Sequence, residues 1–174
     1  MNLPKNLPQN LHGTAIKKSD IESGQVLFTT GDPQAEYAWD TGIGIGRYLE
    51  GLRQGIILGT YCKKCTRTVV PPRVFCELCF SPNIEWRTLK DTGTINTFSI
   101  CYVSWDAVRV KTPYLPAVIE IDGATKGHGI LHLLDEVDPK DIKVGMKVKA
   151  VWKRLEERTG AITDIQYWKP VQEK

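Results

Sequence analysis

Two cysteine pairs at matched spacing, Cys62-Lys63-Lys64-Cys65 and Cys76-Glu77-Leu78-Cys79, are the residues best suited to chemistry in this sequence. Each Cys-x-x-Cys turn folds two thiolates inward from one tight knuckle, so together they offer a divalent metal a tetrahedral set of soft ligands. Zinc is the first expectation. Iron is the second, because four thiolates alone suit either metal. A thioredoxin-like redox pair would want one such motif beside a strand-helix-strand unit, and structural disulfides conflict with a cytoplasmic chain. A four-cysteine centre is coordinatively full, so it should fold a ribbon and carry no catalysis. The ten residues between the pairs suit a hairpin over Val69 to Val74, interrupted by Pro71-Pro72.

Other chemistry is thin. The fifth cysteine, Cys101, falls mid-strand with no His or Asp nearby to activate it, so it reads as a packing residue. His12, His128 and His132 are scattered, and His128, between Gly127 and Gly129, reads as a turn or solvated residue. There is no Ser-centred elbow and no clustered-carboxylate pattern. A standalone enzyme is not expected.

Charge singles out the same segment as the cysteines. The net charge of +3 is too small to mark a generic polyanion binder. Its distribution is uneven: −1 over residues 1–59, +3 over 60–87 and +1 over 88–174. Lys63, Lys64, Arg67, Arg73 and Arg87 supply the central excess, which suits anionic groups or a partner surface. The bland reading is a solvated basic face.

The elements that must position these groups follow from periodicity. A chain of 174 residues with 41% hydrophobic and 25% charged residues is one ordinary domain or two small ones, with enough apolar material for a core. No run reaches the roughly 18 apolar residues of a membrane helix, and the start lacks a signal-like apolar region, so a cytoplasmic protein is expected. Val26-Leu27-Phe28 suits a short strand, and Asp32-Pro33 a helix start. Gly42, Gly44 and Gly46 should weaken or break that helix, giving two short helices, with Gly55 as a stop. Ile45, Tyr48, Leu49 and Leu52 share one helical face, which must bury against the protein's own core or against a partner as a docking helix.

Beyond residue 93 the pattern becomes strands and turns. Thr97 to Tyr102, Leu115 to Ile121, Gly129 to Leu134, Lys147 to Trp152 and Ile162 to Trp168 are the candidates, with a turn at Asp122-Gly123 and a helical turn at Asp138 to Asp141. Five strands of this size make a small barrel of the OB type. The expected organisation is an N-terminal extension with two short helices over 1–55, a zinc ribbon over 56–87 and an OB-fold over 88–174. The fold class is mainly β with N-terminal helices.

Several linked motifs then carry a resemblance. They are Tyr48-Leu49-Glu50-Gly51-Leu52, the two knuckles, Pro71-Pro72-Arg73, Trp86, Gly93-Thr94-Ile95 and Val144-Gly145-Met146-Lys147-Val148. From about Tyr48 to Trp168 the chain resembles the family called domain of unknown function 35, a rubredoxin-like zinc ribbon followed by an OB-fold. The glycine usual after each knuckle's second cysteine is here Thr66 and Phe80. The resemblance implies a small, noncatalytic, acyl-CoA-associated partner or scaffold of a thiolase-type enzyme, in which Lys63, Lys64, Arg67, Arg73 and Arg87 could meet the phosphates of coenzyme A. In archaeal mevalonate-pathway assemblies it implies a bridge between thiolase and hydroxymethylglutaryl-CoA synthase.

A second class competes with that one. An OB barrel with Lys147, Lys149 and Lys153 in or just after its fourth strand, and with Tyr102, Trp105, Tyr114 and Tyr167 exposed, could bind nucleic acid by stacking bases. The modest charge and its concentration in the ribbon favour the accessory subunit.

Overall fold

A computed structural model describes residues 17–24, 39–82, 84–104 and 106–171. The expected strand at Val26 to Phe28, the helix start at Pro33, His12 and Trp105 lie outside the described residues. Helix α1, Lys18–Glu22, is a single short helix whose Asp20 carboxylate accepts the Lys17 backbone N–H at 3.0 Å.

Helix α2, Gly42–Arg53, is continuous, so the three glycines open the helix and do not break it. Gly44 sits close to a loop later in the chain, where a Cβ would stand 3.2 Å from Val74 Cγ1. The helix stops as expected at Gly55, whose φ of +77° suits a residue without a side chain. Tyr48 and Leu52 are buried in the main core and Leu49 packs against it. The apolar stripe therefore covers the protein's own interior. Of the four expected docking residues only Ile45 is exposed, at 41%. Hydrophobic burial within the chain removes Tyr48 and Leu52 from any docking role.

Three antiparallel strands form the ribbon sheet: β1 (Ile57–Cys62), β2 (Arg67–Val69) and β3 (Ile84–Leu89), in the order β2-β1-β3. The expected hairpin over Val69 to Val74 is absent. Instead β1 and β2 form a hairpin around the first knuckle, with Cys62 opposite Arg67. β3 then runs past Arg87 to Leu89, which pairs with Ile57.

The second sheet contains five strands in the order β10-β9-β4-β7-β8. These are β4 (Thr92–Phe98), β7 (Pro116–Ile121), β8 (Gly129–Leu133), β9 (Lys147–Trp152) and β10 (Ile165–Pro170). A parallel bridge between Leu134 and Trp168, with Asp135 N–H donating to Trp168 O at 2.9 Å, joins the two edges of the sheet. Ile95, Ile119, Val148, Ile165 and Trp168 fill the interior at 1% exposure or less.

Two expectations change here. The strand through Phe98, Ile100 and Tyr102 is split: Ser99 N–H still bonds Pro116 O of β7, and the chain then leaves the sheet. It continues as β5 (Cys101–Val103), paired with β6 (Arg109–Tyr114) in a separate hairpin. The last strand starts at Ile165, since Ile162–Asp164 is a 3-10 turn. The single turn at Asp138 to Asp141 is present, closed by Asp141 N–H to Asp138 O at 2.9 Å. Among the described residues no helix is long and apolar enough to cross a membrane.

Leu52 is 0% exposed in the shared core. Leu52→Ala is therefore expected to cost about 3 kcal/mol, while Ile43→Ala at the exposed helix start should change stability by less than about 0.5 kcal/mol. Urea denaturation of both variants checks this.

Candidate metal centre and its surroundings

The geometry of the centre starts with β1, which delivers Cys62 at its end, 2% exposed. The chain turns through Lys63 to Thr66, and Thr66 takes a φ of +53° before β2. At the second knuckle, Phe80 N–H donates to Cys76 O at 2.8 Å and Cys76 N–H to Ser81 O at 3.2 Å. Phe80 has a φ of +56°. Both residues thus keep the left-handed conformation that glycine adopts without strain, at about 1 kcal/mol each.

The four sulfurs of Cys62, Cys65, Cys76 and Cys79 lie within 4.8 Å of one another, with Cys62 and Cys79 3.5 Å apart. A tetrahedral centre with Zn–S bonds of about 2.3 Å places its sulfurs about 3.8 Å apart, so the donor set fits a single ion. Backbone N–H groups of Cys79 and Leu78 lower the Cys76 thiol to about 7. Hydrogen bonding to Cys79, together with burial and the other sulfurs, holds Cys65 near 12. Four thiols this close cannot all ionise unless a cation offsets the repulsion of their thiolates.

Several neighbours brace the centre. Buried Thr60 on β1 donates its hydroxyl to Arg73 O at 3.0 Å and accepts from Arg73 N–H at 3.1 Å, fixing the loop that follows β2. Arg67 holds Glu77 of the second knuckle at 2.8 Å and donates to His128 Nε2 at 2.6 Å. Beside it, Thr68 and Thr125 exchange hydrogen bonds, Thr68 N–H to Thr125 Oγ1 and Thr125 N–H to Thr68 O, each at 2.9 Å. These contacts tie the ribbon to the turn before β8. His128 is thus in a turn, as expected, but half-buried and engaged.

The five candidate cations divide. Lys63 pairs with Glu85 at 3.5 Å, Arg67 with Glu77, and Arg87 with Glu85 at 3.6 Å while lying 3.4 Å over the Tyr61 ring. Lys64 and Arg73 are exposed and enter none of the described ion pairs. On the barrel, Lys147 holds Asp122 at 2.7 Å and Lys149 approaches Asp91 at 3.7 Å. Cavities of about 260 and 590 Å³ flank the β8 and β10 edges, walled by Leu133, Gln166 and Tyr167. None of the five ribbon cations lines either one.

Sequence reasoning missed Thr60 and Thr125, and for His128 it read the turn but not the contact with Arg67. A buried threonine in a strand carries no distinctive signal, and the other two act through contacts far away in the chain.

Four converging cysteines on a three-stranded sheet, followed by a five-stranded barrel, define a zinc-ribbon and OB-fold protein. Family models agree: the ChsH2 rubredoxin-like zinc ribbon domain matches residues 49–85 and the ChsH2 C-terminal OB-fold domain matches 86–153. The chain belongs to the DUF35 family. A DUF35 domain-containing scaffold protein of Methanocaldococcus jannaschii is 29% identical over 67% of this chain and 82% of its own length. One from Pyrococcus furiosus is 27% identical over 65% and 81%. Among solved structures, a DUF35 protein of unknown function from Sulfolobus solfataricus is 31% identical, covers 64% of this chain and 79% of its own, and superposes with a TM-score of 0.54. The Ltp2-ChsH2(DUF35) aldolase shares the fold at a TM-score of 0.56 and 18% identity, over 78% of this chain and 98% of its own.

Burial, then Arg67, pushes His128 below its usual pKa, with Arg73 adding to this and Glu77 and Glu120 opposing. A depressed histidine contributes stability that is fully present above the unfolded value of about 6.5 and is lost as pH falls through the folded value. His128→Asn should therefore lose less stability than the wild type between about pH 7.5 and 5.5. Urea midpoints of the two proteins at each pH measure that difference.

Proposed function

We propose that this chain is a noncatalytic, acyl-CoA-associated accessory or scaffold subunit of a thiolase-type enzyme complex. Its finer form is a bridge between a thiolase and hydroxymethylglutaryl-CoA synthase. The observation that carries the reading is that relatives aligned over about two thirds of the chain are named DUF35 domain-containing scaffold proteins. Cys62, Cys65, Cys76 and Cys79 hold a structural zinc, with iron the lesser alternative; the ion supplies folding energy. A full thiolate set leaves no position for substrate, which supports a noncatalytic role. Among the described residues no second cluster of metal-binding side chains is present. Coenzyme A contact, if made by the ribbon, falls to Lys64 and Arg73, because the other candidate cations hold carboxylates of their own chain.

Nucleic acid remains the weaker alternative. Tyr102 and Tyr114 are exposed, but Lys147 and Lys149 are engaged by Asp122 and Asp91. Micromolar or tighter binding of single strands at physiological salt, lost in Tyr102→Ala, would favour it.

Two expected outcomes test the proposal. Elemental analysis should find one zinc per chain, and Cys65→Ser should release it and unfold the ribbon by circular dichroism. Affinity purification at low salt, followed by mass spectrometry, should recover a thiolase-family enzyme, while the isolated chain shows no thiolase or synthase activity. Repeated recovery of nucleic-acid enzymes without a thiolase-like protein would overturn the reading.

A further inference from the structure

The second knuckle presents apolar side chains to solvent. Val74, Phe75, Leu78 and Phe80 are 50%, 46%, 62% and 73% exposed. The start of α2 abuts the same loop through Gly44 and Val74, and beside it Ile43 is 81% exposed. The Phe75 and Phe80 rings stack nearly parallel, 6.4 Å between centroids.

Stability does not explain Phe80. Its backbone occupies the left-handed region, which a bulky residue enters at a cost and glycine enters freely. Thr66, at the matching place in the first knuckle, gains a local return because its hydroxyl donates to Cys65 O at 2.8 Å. Phe80 stacks on a ring that is itself half in solvent, so burial returns little. Strain kept beneath an exposed aromatic ring points to a role outside the fold.

Charge says what covers the surface. Arg73 directly precedes Val74, and Lys64 lies in the opposite knuckle; both are exposed and outside the described ion pairs. A second copy meeting this patch about a two-fold axis would bring the same cations to both sides of one interface, which disfavours self-association. An apolar socket rimmed by carboxylates complements both features.

We propose that Phe75, Leu78 and Phe80 form the plug by which this chain docks its enzyme partner, seated in an apolar socket whose acidic rim meets Lys64 and Arg73. The proposal rests on the accessory-subunit reading and adds the surface and the partner's chemistry to it. Exposed aromatic anchors flanked by an arginine are the composition of interface hot spots.

The test uses the full-length, zinc-loaded chain and the recombinant thiolase-family enzyme of the same organism, with binding followed by calorimetry. Phe80→Gly is the informative variant, because it relieves the backbone. It should keep the zinc content and an equal or higher melting temperature, yet weaken binding by about thirtyfold or more. Phe75→Ser should weaken binding comparably. The double variant Lys64→Glu, Arg73→Glu should slow association and flatten its salt dependence. If the wild type binds and both phenylalanine variants bind equally well, the plug is refuted while the accessory reading stands. If the wild type does not bind that enzyme, both fall. A concentration-dependent dimer in sedimentation, abolished by Phe80→Gly, would reassign the patch to a second copy and overturn the proposal.

Discussion

Mutual repulsion among four crowded sulfurs is the constraint on which the ribbon depends. Within 4.8 Å, thiols can share protons but cannot all ionise without a counter-cation. At the knuckle end the ribbon has little else to fold around, since β2 is three residues long and contributes only Thr68 and Val69 as buried residues. Both knuckles turn their cysteines inward, and that convergence sets where the residues after each knuckle must go. Arg67 follows the first knuckle and Glu77 lies inside the second, so sulfur convergence also brings this ion pair together. Through His128 and the Thr68 and Thr125 exchange, the same geometry orients the ribbon on the barrel.

The barrel contributes the larger core, and α2 shares it. Tyr48 and Leu52 join Ile57, Leu89 and the barrel interior in one cluster, so the helix, ribbon and barrel form a single hydrophobic unit. An amphipathic stripe read from sequence cannot say which surface covers it. Here the nearest apolar surface is the chain's own, and covering it removes water without the entropic cost of association. Only the first turn, with Ile43 and Ile45, extends beyond that core.

Much of this was legible because its signals are local. The knuckles lie within a few residues of chain, β9 coincides with the alternation of Lys147 to Trp152, and Gly55 stops the helix. What was missed depends on partners distant in sequence. The hairpin of β5 and β6 has little inward face, so Arg109 to Tyr114 shows no clean alternation. Asp164 looks like an ordinary surface acid, yet it is 0% exposed and accepts N–H groups from Thr159, Gly160 and Ala161 at 2.8 to 3.1 Å. Burial alone would raise its pKa; those donors more than offset this and hold it below the usual value. The Val69 to Val74 hairpin failed for a related reason. Thr60 captures Arg73 and directs that loop across β1, a contact that no local pattern encodes.

Counting charges misleads for the same reason. The ribbon holds nearly all the basic excess of the chain, which suggests an anion site, yet Lys63, Arg67 and Arg87 already hold Glu85 and Glu77. Glu85 alone serves two of them, one through each carboxylate oxygen. An incoming phosphate would have to displace these carboxylates, and the exposed pairs among them contribute little stability, so displacement is cheap but gains little. Two cations free of such pairs are a weak basis for recognising a polyanion. They are a sufficient rim for an apolar contact, where charge sets orientation and rate more than affinity. On the proposed docking role, recognition by this ribbon rests more on its exposed apolar side chains than on its net charge.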